Sequence, residues 1–154
     1  MYLHLLALHS STRWLLLLFV IIVLMRSFWA LRRKSKYTLA DERLRAITTS
    51  VVHIQLLLGV LLYIISPIVR YFWQNFKQAV HMREIRFFGM EHIFMMLLAI
   101  IILTIGSAKA KGQLTDKLKF KTQLVWFSIG LIIIFSSIPW AFSPLTHRPW
   151  FRHL

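Results

Sequence analysis

Four long apolar stretches constrain this chain more than any other feature. A helix needs about 20 mostly apolar residues to cross a bilayer, and residues 2–27, 46–69, 87–108 and 122–146 each reach that length. Arg13 interrupts the first, the second carries no formal charge, and Glu91 and His92 stand near the start of the third. Pro139 and Pro144 are expected to loosen the exit of the fourth. Apolar periodicity does not separate helix from strand in such runs, but their length decides for helix. The expectation is an all-α integral membrane protein, one up-down four-helix bundle formed by residues 1–154. Hydrophobic residues make up 58% of the chain, above the roughly 45–50% usual in soluble domains. Cysteine is absent, which excludes disulfides, thiolate ligation and iron–sulfur chemistry within this sequence.

The net charge of +14 would suggest nucleic acid in a soluble protein. Here the bases lie between apolar runs, where topology and anionic lipid headgroups account for them, so nucleic acid is not an expected partner. Arg26, Arg32, Arg33, Lys34, Lys36, Arg43, Arg45, Lys109, Lys111, Lys117, Lys119 and Lys121 fall on one side. Arg70, Lys77, Arg83, Arg86, Arg148 and Arg152 fall on the other. The richer side is expected to be cytoplasmic, with both termini outside a bacterial inner membrane. The first stretch has neither a basic leader nor a small-residue cleavage site, so it is expected to be retained as a helix. Tyr71, Phe72, Trp73 and Phe76 suggest an aromatic belt or a short helix lying in the interface.

Polar residues inside spans are functional candidates. His9 lies 17 residues before Arg26, and His92 lies 17 before Lys109. At 1.5 Å per residue both stand roughly 25 Å from the basic side. The first and third helices run parallel and face each other diagonally in a simple bundle, so these imidazoles form a candidate bis-His pair for a planar cofactor. His53 lies on an antiparallel helix at another depth, where the natural partner position holds Gln123. One cofactor is therefore expected, and a second is not supported. His53 and His147 are second-choice ligands. Ser50 and Thr49, one turn before His53, are expected to satisfy its ring.

Several neighbours suit a haem between the first and third helices. Gly89 would let a flat macrocycle approach, and Met96 would pack softly against it. Arg13, one turn from His9, would meet a propionate. Arg83, Arg86 and Arg148 are further propionate candidates. Glu91 is about 100° round the helix from His92, where a snorkelling role fits better than proton transfer. The competing account of each histidine is that of a hydrogen-bonded packing residue. Met90, Met95 and Met96 are first of all core, and Gly59 and Gly106 first of all close-packing positions.

The phrases HSSTRW (residues 9–14), HIQLLLG (53–59) and EHIFMMLLA (91–99) resemble motifs of haem A synthase-like and related small membrane b-type cytochromes. In that family a four-helix bundle holds haem between histidines on alternate helices. Haem A synthases are about twice as long and use an acidic catalytic residue; a single bundle does not match that activity. What the resemblance implies is haem b ligated by His9 and His92.

The leading expectation is therefore a haem b electron carrier working between quinone and a redox partner or subunit on the outer side. Bis-His ligation leaves iron no open site, which favours electron transfer over oxygen chemistry. The alternative is a non-catalytic subunit or assembly factor of a larger respiratory or transport complex, its aromatic loop docking neighbours. A transporter using Glu91 and His53 is disfavoured, because no span is broken by Gly or Pro near mid-membrane.

Overall fold

The structure, a computed structural model, describes residues 1–140. Its long helices are α1 (Tyr2–Arg33), α2 (Leu39–Ile65), α6 (His92–Lys111) and α7 (Asp116–Ser137). Between α2 and α6 lie the short helices α3 (Pro67–Gln74), α4 (Phe76–Ala79) and α5 (Arg83–Arg86), then a π-helical turn, Phe87–Glu91. Four helical stretches are long and apolar enough to span a membrane: Tyr2–Arg33, Leu39–Ile65, Arg83–Lys111 and Asp116–Ser137. The chain is an all-α membrane bundle. Each of α1 and α6 packs against both α2 and α7, which leaves α1 and α6 diagonal to one another.

The helix boundaries differ from the apolar runs, and each difference has a local cause. α1 continues to Arg33 and closes on Lys34 in the left-handed region, φ 52°, with Ser35 N–H bonded to the Ala30 carbonyl at 3.0 Å. α2 starts at Leu39 rather than 46, because Thr38 and Asp41 form a capping box. It stops at Ile65 rather than 69, because Ser66 turns extended and Pro67 opens α3. α7 starts at Asp116 behind the Thr115 cap, not at 122. It ends at Ser137 rather than 146, because Ile138 precedes Pro139 and is extended, ψ 134°. The third span is helical from Arg83 to Lys111, with the π turn at its membrane entry. Pro144, His147, Arg148 and Arg152 lie outside the described residues.

Leu16, Leu17, Val20, Val23, Val52, Ala99, Leu103, Phe127 and Ile134 form the core. Apolar side chains such as Leu18, Ile54, Leu57, Ile101 and Ile132 face outward as well, as suits helices solvated by lipid. α6 and α7 interlock through missing side chains. A Cβ on Gly106 would stand 2.3 Å from Trp126 Cβ, and one on Gly130 would stand 2.6 Å from Leu103, so small residues set this approach.

The end of the bundle carrying the α1–α2 and α6–α7 connections, here called the basic end, holds a continuous polar network. Arg26 grips Asp41 through two bonds, Nε–Oδ1 at 2.6 Å and Nη2–Oδ2 at 3.1 Å. Ser27 donates to Gln123 Oε1 at 3.1 Å, and Gln123 Nε2 donates to the Tyr37 hydroxyl at 2.9 Å. Tyr37 donates to Glu42, which pairs with the buried Arg45. Arg45 reaches the Ser107 hydroxyl and carbonyl, and the Ser107 and Thr49 hydroxyls share a hydrogen bond at 2.8 Å. All four long helices are joined in this way.

Candidate cofactor site

The opposite end holds a cavity of about 400 Å³, within the roughly 300–1,000 Å³ of small-molecule sites. Its walls are mostly apolar, with Leu and Ile the commonest residues, and its polar lining includes His9, Arg13, Gln55, Tyr63 and His92. The cavity exists because α1 and α6 stay apart on the bundle diagonal while α2 supplies a wall through Gln55, Gly59 and Tyr63, spaced four apart on one helical face.

His9 and His92 both line this cavity. The Nδ1–H of His92 donates to the Ser137 carbonyl at 2.9 Å. A carbonyl only accepts, so the proton is fixed on Nδ1 and Nε2 keeps its lone pair. A metal-ligating imidazole commonly has this tautomer, its other ring N–H given to a backbone carbonyl. His9 is held from α2. Gln55 Nε2 donates to the His9 carbonyl at 2.9 Å and stands 3.4 Å from His9 Nε2, while the Gln55 carbonyl oxygen takes the Thr12 hydroxyl. His9 Nδ1 is buried without a hydrogen bond. Gly59 makes room for the ring: a Cβ there would lie 3.2 Å from His9 Cε1. Its role is therefore more specific than general helix packing.

Arg13 and Met96 also line the cavity, and the Arg13 guanidinium carbon sits 5.1 Å from the Trp14 ring centroid. Gly89 does not line it. The space above Gly89 is filled by Phe72, whose ring a Cβ would meet at 2.3 Å, so this glycine admits a side chain of α3 and not a macrocycle. Arg86 is also absent from the walls, because it bonds Glu91 at 2.6 Å and the Val80 carbonyl at 2.9 Å. Glu91 is accordingly an ion-pair partner of Arg86. His53 stands outside the cavity on an exposed face, 3.0 Å from the Thr104 hydroxyl of α6. Thr49 bonds the Arg45 carbonyl and Ser107 instead of the His53 ring. His147 and Arg148 fall outside the described residues.

Sequence reasoning overlooked Gln55 and Tyr63 and gave Gly59 only a packing role. The four-residue spacing of Gln55, Gly59 and Tyr63 along one helix was the available signal. Among the described residues, no three His, Asp or Glu side chains gather to hold a bare metal ion. A haem iron asks less of the protein, since the porphyrin supplies four nitrogens and two imidazoles complete the set. The two cavity histidines, the orphaned His9 nitrogen and the nearby Arg13 fit that requirement. No family model, curated protein or solved structure matches the chain.

Proposed function

We propose that this protein is an integral membrane b-type cytochrome that holds one haem b between His9 and His92. In this reading it passes electrons between quinone and a redox partner on the outer side of a bacterial inner membrane. The observation that carries the reading is a single apolar cavity shared by two histidines from diagonal helices, with His92 already fixed as the Nδ1–H tautomer.

When bound, haem would supply reversible one-electron chemistry at iron. The chain's own part is to present two imidazole nitrogens, to keep water away with Leu16, Met96 and Ile100, and to set Arg13 where a propionate carboxylate needs a cation. Gln55 orients His9 and the Ser137 carbonyl orients His92. With His9 and His92 both holding the iron, no coordination site would remain for oxygen, which would favour electron transfer. The excess of Lys and Arg at the basic end supports a cytoplasmic placement for that end, so the cavity would open toward the outer leaflet.

The test is a pyridine haemochrome assay with oxidised and dithionite-reduced spectra of detergent-purified protein expressed with ample haem. The expected result is one haem b per chain with a low-spin α-band, lost in both His9→Ala and His92→Ala. A colourless wild type, or an unchanged low-spin spectrum in both variants, overturns the reading.

A further inference from the structure

The π turn immediately before His92 is the least regular part of the spanning helices. Such turns are rare and are mostly found at functional sites. The His92 N–H bonds back to the Phe87 carbonyl, five residues away. One additional residue in the turn rotates the following chain by about 100°. The turn thus determines which side of α6 is presented by residues at the junction, His92 first among them.

A π turn needs support from outside, because its backbone bonding is less favourable than that of an α-helix. Three contacts supply it. The Phe72 ring occupies the space left by Gly89. Arg86 and Glu91 bridge the turn along its outer side. The Tyr63 hydroxyl donates to the Gly89 carbonyl at 2.7 Å, and that same hydroxyl accepts from Trp73 Nε1 at 3.0 Å. Because Trp73 carries only a donor, the phenol proton is directed to Gly89. A chain of hydrogen bonds therefore runs from α3, through Tyr63 at the end of α2, to the backbone three residues before His92. The Tyr63 ring also forms part of the cavity wall.

We infer that Tyr63 is a positioning residue for His92, acting through the Gly89 carbonyl and the π turn, with Trp73 holding the phenol in place. The inference builds on the haem reading above, but its action on the His92 ring does not need haem to be observed.

Tyr63→Phe keeps the ring in the cavity wall and removes only the hydroxyl. In apo protein labelled with 15N-histidine, the His92 Nδ1 resonance is expected to shift in Tyr63→Phe and to shift less in Trp73→Phe. In the haem-loaded protein, Tyr63→Phe is expected to retain one haem per chain with an altered low-spin ferric EPR g value. Haem dissociation should quicken by about tenfold, the scale of one lost hydrogen bond. Unchanged His92 resonances in the apo variant overturn the inference whether or not haem binds. Unchanged g value and off-rate in a wild type that loses haem on His92→Ala overturn it while leaving the haem reading standing. A wild type that takes up no haem while the apo shift persists removes the haem reading alone.

Discussion

The two ends of this bundle treat buried polarity in opposite ways. At the basic end the polar side chains find their partners within the chain, from the Arg26–Asp41 pair to the Ser27–Gln123–Tyr37 bridge and the Arg45–Ser107–Thr49 knot. At the cavity end His9 is anchored through its backbone carbonyl, yet its Nδ1 is buried without a hydrogen bond. A buried polar group without a hydrogen bond costs roughly 1–3 kcal/mol, and in lipid no water is at hand to relieve it. The satisfied end looks like structure. At the cavity end a ring nitrogen of His9 is left over, where the proposed haem would bind.

The contrast predicts that stability depends on the basic end and haem uptake on the cavity end. The largest effect on stability is expected from Asp41→Ala, which strands the Arg26 guanidinium and removes the capping box of α2. Arg26 is 37% exposed, so water offsets part of the loss, and about 2–3 kcal/mol is expected. Unfolding in detergent measures it, and haem content per folded molecule should stay at the wild-type value. An equal loss of haem would erase the contrast between the ends.

A pH titration gives an intermediate effect. Burial first, and then the negative charge of Glu42, push the Tyr37 phenol up to about 12, against about 10 in an unfolded chain. Its folded-state value lies above its unfolded one, so the stabilisation of the neutral phenol is complete below about pH 10 and fades as pH rises towards 12. Wild type should lose stability across that window, and Tyr37→Phe should lack this component. A matching alkaline loss in the variant would show that the phenol is not responsible.

The smallest effect on stability is expected from His9→Leu in the apo protein. Replacing an imidazole whose Nδ1 is buried without a hydrogen bond by an apolar side chain should change unfolding by less than about 0.5 kcal/mol, or stabilise the bundle. A loss above about 2 kcal/mol would mean that His9 is a packing residue after all.

Much of the architecture was legible because spans are read by length: 18 or more apolar residues leave few alternatives to a helix. That His9 and His92 line one cavity was foreshadowed by their matched spacing from Arg26 and Lys109, because the rise per residue of a helix is constant. The starts of α2 and α7 lie before the apolar runs because Asp41, Arg45, Asp116 and Lys119 carry charges that a reading by hydropathy assigns to loops. The capping pair Thr38 and Asp41 was nonetheless visible in the sequence. The partners of Gly89, Arg86 and His53 were not legible, because Phe72, Glu91 and Thr104 reach them only once the chain has turned or folded back on itself.

Residue order alone was enough for four apolar helices long enough to cross a membrane, with His9 on the first and His92 at the start of the third. Local chain geometry and the cost of exposing peptide groups to lipid suffice for that. Packing in three dimensions settled which polar groups satisfy one another, that Gln55, Gly59 and Tyr63 frame the cavity, and that a π turn precedes His92. Those relations depend on distances between segments far apart in the chain, which helical spacing within one segment does not encode.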